Sequence, residues 1–444
     1  MVVISEKLQS LLSPKQVNPW AGSELADLAS AGLNKVWPQK VRAAVVDSAP
    51  ACVVFTESES ELTAVVRVCA QNHWRILSCG NGSKLGWGNP AKNIEVVVST
   101  ARLNQVIDHW VEDFTVRVEA GVSFAALQKQ LGQHRQFLAL DPLYASTATL
   151  GGIIATADTG SLRQRYGSVR DMLIGVQFVR HDGEVVKAGG RVVKNVAGYD
   201  LMKLMTGAYG TLGILTQLTL RLFPQPEHSQ TITVTGSTDA IRKVALQARL
   251  SGLTPVALDV LAGGSPLSLL PLPPSPCVLI AQFQGILAGV QEQIDRLRSL
   301  SEAAGAQIQT LDETLWPAIS TAFVTNPDAS ILCKVGMLPT TSVDFLQLAE
   351  TILPVEWIAR LHNVSGIGLL RFEASEGSAD LIGKLRSYCE AHQGYLTILQ
   401  APAEIKQQID TWGYSGNTLG TMQKLKANFD PQSLFNPGRF VGAI

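Results

Sequence analysis

A strand candidate, Arg75–Ser78, runs directly into Cys79-Gly80-Asn81-Gly82-Ser83-Lys84. Glycines at that spacing let the backbone take positive φ and turn successive N–H groups toward one point, an arrangement that binds anions. Ser83 can add a hydroxyl donor and Lys84 a charge. The loop is not a Gly-x-Gly-x-x-Gly fingerprint, because Leu85 stands where the third glycine belongs. It also lacks the Gly-Lys-Ser/Thr of a P-loop. Taken alone, an ordinary glycine turn accounts for it equally well.

The surroundings of the loop read as alternating strands and helices. Ile4, Leu8, Leu11 and Leu12 have helical spacing before Pro14. Ala51–Phe55 is a short apolar strand candidate. Thr56 and Ser58, each followed three residues on by Glu59 and Glu61, form a capping pattern ahead of the face Leu62, Val65, Val66 and Cys69. Further strands are predicted at Ile94–Ser99, Thr115–Glu119, Met172–Val179 and Leu212–Leu222. Asp182-Gly183 reads as a hairpin turn. Pro224 and Pro226 mark a boundary. Beyond it, Thr231–Val234, a helix near Ala240–Leu250 and Val256–Leu261 form one β-α-β pattern. Cys277–Phe283, a helix over Val290–Ala304 and Gln307–Leu311 form another, which points to a split β-α-β domain.

Composition removes several classes. The 36 Lys+Arg balance 37 Asp+Glu, a formal net charge of −1, which argues against nucleic acid as a partner. Charged residues are 16%, against about 25% in an ordinary soluble domain, so the chain expects a large core or a covered surface. The uncharged run Val260–Gln291 is long enough to cross a bilayer, but Pro266, Pro271, Pro273, Pro274 and Pro276 break it. Glu6 and Lys7 stand where a signal peptide needs apolar residues. The six cysteines are scattered without a Cys-x-x-Cys pair, so no metal or iron–sulfur site is expected in this chain. A cytoplasmic protein, peripheral to a membrane only through partners, is the resulting expectation.

Five further segments carry chemistry: Asp141-Pro142 with Thr149-Leu150-Gly151-Gly152; Gly160 through Arg165-Tyr166-Gly167; Gly190-Arg191 through Lys194 to Gly198-Tyr199-Asp200; Gly207 through Gly210 to Gly213-Ile214; and Phe435-Asn436-Pro437-Gly438-Arg439. In this order and spacing, together with the Gly80–Lys84 loop, they resemble FAD-binding proteins of the vanillyl-alcohol oxidase or PCMH type. Within that type the chain is most similar to the flavin subunits of glycolate oxidase/dehydrogenase called GlcE. The resemblance covers nearly the whole chain and is strongest over Val53–Pro226 and Phe435–Arg439.

The resemblance implies an α+β fold: a two-part PCMH-type FAD-binding domain with a ferredoxin-like α+β second domain. The implied boundaries are a helical lead-in at 1–40, the FAD domain at 41–226, a ferredoxin-like cap at 227–400 and a returning C-terminal segment at 401–444. FAD would be held by Gly80, Asn81, Gly82, Ser83 and Lys84 at the pyrophosphate. Asp141, Pro142, Thr149, Leu150, Gly151 and Gly152 would line flavin and pyrophosphate, and Gly160, Ser161, Tyr166 and Gly167 would continue that wall. Gly213 and Ile214 would meet the adenine end, and Asn436 would return to the isoalloxazine ring. For Arg191, Lys194, Tyr199 and Asp200 a local ion-pair and packing network is the preferred reading.

Two departures from the family bear on function. The pyrophosphate loop has no histidine to attach FAD, so noncovalent FAD is expected. The catalytic 2-hydroxy-acid dehydrogenases of the superfamily carry His-x-Gly-Asp-x-Asn and Glu-His-Gly in the C-terminal half. Here Arg360-Leu361-His362-Asn363-Val364-Ser365-Gly366 resembles a degenerate first motif, and the second is missing. His362 is a candidate catalytic residue, and a satisfied structural histidine is the favoured reading of it. The implied protein is an FAD-dependent oxidoreductase subunit, partnered by a catalytic flavoprotein subunit and an iron–sulfur subunit, oxidising glycolate to glyoxylate. The alternatives are a self-sufficient FAD oxidoreductase for another 2-hydroxy acid or alcohol, with His362 or Tyr199 as base, and a non-catalytic flavin-binding scaffold.

Overall fold

A computed structural model describes residues 2–20, 36–191, 198–324 and 329–444. The chain divides into two compact units. The first comprises Met1–Asp158, Ser168–Pro224 and Ser415–Ile444; the second comprises Thr159–Gly167 and Gln225–Tyr414.

In the first unit, strands β1 (Val17–Pro19), β2 (Cys52–Phe55), β3 (Ile76–Cys79) and β4 (Val96–Ser99) form a sheet in the order β1-β2-β4-β3. The three longer strands run parallel and are buried on both faces, which is why they read as unbroken apolar runs. One face packs on helix α1 (Glu59–Gln71) through Leu62, Val65, Val66 and Cys69. Ser58 caps that helix by accepting from the Glu61 amide at 3.2 Å. The other face packs on Trp37 and Val41. A second, antiparallel sheet contains β5 (Val106–Trp110), β6 (Thr115–Glu119), β7 (Leu173–Val179), β8 (Val185–Gly189) and β9 (Ile214–Arg221), in the order β8-β7-β9-β6-β5. The hairpin read from Asp182-Gly183 joins β7 to β8, with Val179 opposite Val185.

The C-terminal segment is tied into this unit by a buried cation. At the end of helix Leu419–Phe429, the Lys426 ammonium donates to the Thr211 carbonyl at 2.7 Å, the Asp430 carboxylate at 2.6 Å and the Phe435 carbonyl at 3.0 Å. Asp430 in turn accepts the Leu434 and Phe435 amides. Phe435 then bridges in parallel to Ile76 of β3.

The second unit holds one eight-stranded sheet. Its strands are β10 (His228–Thr235), β11 (Ala257–Gly263), β12 (Val278–Gly285), β13 (Gln307–Leu311), β14 (Ser330–Gly336), β15 (Trp357–His362), β16 (Ile367–Glu373) and β17 (Tyr395–Gln400). The order is β13-β10-β12-β11-β15-β16-β14-β17. Each half is a βαββαβ module, with helices Thr238–Leu250 and Leu287–Ala303 in the first and Ser342–Ile352 and Ser378–Ala391 in the second. Antiparallel pairing of β11 with β15 joins the modules. The first module matches the two β-α-β patterns legible in the sequence; the second was not separable there. Alternate residues, including Leu258, Val260, Ala359 and Leu361, pack on the helices. The other face carries Asp259, Gln282, Arg360, His362 and Arg371. Among the described residues no helix is long and apolar enough to cross a membrane.

The Lys426–Asp430 pair gives a direct test of this fold. Lys426→Ala leaves a buried carboxylate uncompensated, which costs about 3–5 kcal/mol. Equilibrium denaturation should show that loss, and adding Asp430→Asn should recover part of it.

Candidate functional site

The first unit contains a groove with about 720 Å³ of empty space, part of it open to solvent. It is lined by Ser78 through Leu85, by Thr149, Gly151 and Gly152 at the start of the helix Leu150–Thr156, by Tyr209 and Gly210, by Gly213 to Leu215 and by Arg439. The glycine loop reaches this wall by close packing. A Cβ on Gly80 would fall 2.2 Å from Thr149 Oγ1. Gly82 has φ +72°, and a Cβ there would fall 2.6 Å from Trp37 Nε1. Among the described residues, the amides of Asn81, Gly82 and Ser83 have no hydrogen-bond acceptor in the protein. Three consecutive donors in a glycine-shaped loop fit a diphosphate.

The charges follow a different plan from the one the loop suggests. Lys84 lines the groove, but its ammonium is buried and donates to Asp158 Oδ2 at 2.8 Å. Burial draws the Lys84 pKa down, and Asp158 opposes that fall. The pair is therefore close to neutral toward a ligand, and the loop amides become the principal phosphate donors. Asp158 lies 74 residues from Lys84; the sequence carried no local signal of it. The net positive charge comes from Arg439, whose guanidinium donates to the carbonyls of Leu85 and Trp87. Burial lowers its pKa to about 10, so it remains charged at neutral pH. Burial also pushes the Cys79 thiol up to about 12 and raises the Tyr209 phenol, so both stay neutral. The groove wall thus presents no uncompensated anion to a phosphate.

The structure brings Gly80, Asn81, Gly82, Ser83, Lys84, Thr149, Gly151, Gly152, Gly213 and Ile214 together along the groove. Leu150 is buried behind them in its helix. Asn436 sits behind the wall. Its side chain accepts from the Ser78 amide at 2.8 Å and donates to Ser78 Oγ at 3.1 Å and to the Tyr209 carbonyl at 2.7 Å. It positions two lining residues rather than lining the groove itself. Asp141 and Pro142 stand outside the lining set, next to Leu143, whose amide donates to Asp158. Gly160, Ser161, Tyr166 and Gly167 belong to the second unit, where Ser161 bonds Asp259 and Tyr166 donates to Gln284 at 3.1 Å. Arg191 pairs with Asp113 at 3.6 Å, Asp200 caps the turn at Lys203, and Tyr199 is 91% exposed. Lys194 lies outside the described residues. Tyr209 and Arg439 also line the groove; both lie inside segments singled out from the sequence, but neither was named there as a binding residue.

The catalytic candidate His362 lies on β15 of the second unit and is 4% exposed. Its Nδ1 bonds Asp259 Oδ1 at 2.8 Å. Burial alone would raise the Asp259 carboxyl, but His362, Arg360 and Ser161 together hold it below its ordinary value. Asn363 donates to the Ala245 carbonyl at 2.8 Å. Among the described residues no group of three or more His, Cys, Asp or Glu is placed to hold a metal ion.

Residues 50–189 match the family described as FAD binding domain. Over 180 residues the chain is 37% identical to a mitochondrial cytochrome-type D-lactate dehydrogenase of Arabidopsis thaliana, covering 40% of this chain and 31% of that one. It is 24% identical over 420 residues to glycolate oxidase subunit GlcD of Bacillus subtilis, covering 88% and 89% of the two chains. The solved structure of p-cresol methylhydroxylase with bound substrate superimposes with a TM-score of 0.72 at 15% identity, covering 99% of this chain and 96% of that one. The fold is the PCMH-type FAD-binding fold, the cofactor is FAD, and the chain is an FAD-dependent oxidoreductase.

Two outcomes follow for the groove. Gly82→Ala forces an L-residue to positive φ, at about 1–2 kcal/mol, and drives its Cβ toward Trp37. The purified variant should show a lower ratio of flavin to protein absorbance than wild type. Among the described residues no histidine lines the groove, so acid precipitation should leave the flavin in the supernatant; yellow colour in the washed pellet would mean a covalent link.

Proposed function

We propose that the chain is the FAD-binding subunit, of the GlcE kind, of a glycolate oxidase- or dehydrogenase-like complex. Its partners would be a catalytic flavoprotein subunit and an iron–sulfur subunit, acting together on a small 2-hydroxy acid and converting glycolate to glyoxylate. The observation that carries this reading is the state of the segment following Arg360. His362 is held by Asp259 and Asn363 by the Ala245 carbonyl. Asn363 is thereby engaged in packing, and the Glu-His-Gly motif of the catalytic relatives is missing. FAD, when bound, supplies hydride acceptance; the residues that hold it are the loop amides of Asn81 to Ser83, with Arg439 adding charge to the wall.

The relatives whose names include D-lactate dehydrogenase and glycolate oxidase support a 2-hydroxy acid as the substrate class. Exposed apolar residues support a partner surface. Leu250, at the C-terminal end of its helix, and Ile286 and Leu287, at the N-terminal end of the next, are 73%, 63% and 64% exposed. Thr254 bonds Gln293 across these same helix ends, so the three side chains stand at one end of the helix layer. A cytoplasmic complex, peripheral to the membrane through its partners, fits the expectation from sequence.

A second reading has one observation in its favour. A carboxylate on His362 Nδ1 fixes the imidazole tautomer and leaves Nε2 for a substrate proton, as in enzymes that use histidine as base. That reading is a self-sufficient FAD oxidoreductase. Turnover of glycolate by the purified, FAD-loaded single chain, measured with a dye acceptor, separates the two. The subunit reading expects negligible turnover alone, and activity on co-expression with the partner subunits. Ordinary rates of about 1–10³ s⁻¹ from the single chain, abolished by His362→Ala, would establish the second reading instead.

A further inference from the structure

Two arginines stand on the polar face of the eight-stranded sheet, and their surroundings differ. Arg371 of β16 has acceptors for both terminal nitrogens, one donating to the Ala322 carbonyl at 2.9 Å and the other to Glu373 at 2.8 Å, and only its Nε is unpaired. Arg360 of β15 is 2% exposed, and its Nε is buried without a hydrogen-bond partner. Among the described residues no acceptor bonds any of its nitrogens. Asp259 lies 3.9 Å away, too far for a hydrogen bond, and its two oxygens already serve His362 and Ser161. The Phe323 ring lies beneath the guanidinium, 5.7 Å from its centre. A buried guanidinium without acceptors is costly, and a bidentate carboxylate is the partner that matches its geometry.

The neighbouring strand positions narrow the ligand. Arg360 and His362 are two residues apart on one strand, so they project from the same face about 7 Å apart at the backbone. Asp259 is the direct cross-strand partner of His362 and fixes its Nδ1. Among the described residues no group bonds His362 Nε2. One ligand can place a carboxylate on Arg360 and an oxygen of its α-carbon on His362. Asp259 draws on the Arg360 charge across 3.9 Å without a hydrogen bond, so the guanidinium keeps its donors for an incoming anion.

We infer that Arg360 and His362, with Asp259 and Ser161 as positioning residues, form a small-carboxylate binding site within the second unit, suited to acids bearing an oxygen on the α-carbon. The site is a property of this chain whichever subunit performs turnover. It requires binding and no redox step, so its test does not depend on activity.

Oxalate, which a flavin does not oxidise in this way, serves as the probe. It is titrated calorimetrically into the full FAD-loaded chain, with acetate as the probe lacking an α-oxygen. Wild type should bind oxalate saturably and more tightly than acetate. Arg360→Gln should weaken oxalate at least about tenfold, the ~1.4 kcal/mol of a lost charge-assisted bond. Arg360→Lys should fall between the two. Arg298→Gln, on an exposed helix away from this face, should bind as wild type. His362→Gln should narrow the gap between oxalate and acetate, which a purely structural role for the ring would not do. No saturable oxalate heat in wild type, or equal affinity in wild type and both Arg360 variants at equal FAD content, would overturn the site. Should Arg360→Gln fail to fold, Arg360→Lys and the oxalate–acetate comparison still decide the question. Glycolate turnover failing in the complex while oxalate binds here would sink the proposed function and leave this site standing.

Discussion

Asn436 commits its whole side chain to two segments that are far from it in sequence. Its carbonyl oxygen takes the Ser78 amide, and its amide nitrogen reaches the Ser78 hydroxyl and the Tyr209 carbonyl. Ser78 leads into the phosphate-facing glycine loop, and Tyr209 belongs to a second lining segment, whose Gly210 abuts Ser78 Oγ. One buried amide therefore ties together two lining segments of the groove. The residue takes φ +45° to do so, a conformation that asparagine tolerates better than most residues. Lys426 and Asp430 hold the same segment from its other end, with three buried bonds from a single ammonium. The groove depends on this bracing because its own loop is built of glycines and has little side-chain packing of its own.

The loop amides and the buried cations divide the work of holding a diphosphate. A lysine beside a phosphate loop invites a direct ion pair, but Lys84 is already matched by Asp158. An uncompensated lysine at that depth would have to lose its charge or stay hydrated. Pairing it removes that cost and leaves phosphate recognition to dipoles fixed in the backbone. Arg439 can remain charged where Lys84 could not stand alone, because its pKa starts high enough to survive burial near 10.

Legibility in the sequence tracked how local each feature is. The Ser58 cap, the α1 face and the parallel strands were readable because each depends on residues within a turn or a pleat of one another. The glycine loop was readable for the same reason. The Lys84–Asp158 pair and the Asn436 bridge were not, since they join residues 74 and 358 apart. The second βαββαβ module was missed for a different reason. On the face that carries Lys334, Arg360, His362 and Arg371, the apolar Ile358 and Leu369 interrupt the apolar–polar alternation that marks a half-buried strand. Those same charges make that face chemically interesting. Ser161 and Tyr166, which the family resemblance places on the cofactor wall, lie on the excursion Thr159–Gly167 that belongs to the second unit.

The three-piece make-up of the first unit bears on how the protein comes into being at the ribosome. Its last piece, Ser415–Ile444, is separated from Pro224 by the whole of the second unit's main segment. The glycine loop emerges early, yet Asn436 and Arg439, which brace and charge the groove, emerge only after the whole of the second unit. Flavin capture therefore waits for the second unit to be synthesised. A nascent chain stalled before Asn436 lacks that bracing, so yellow colour in a preparation reports chains that extend through Asn436 rather than merely folded ones.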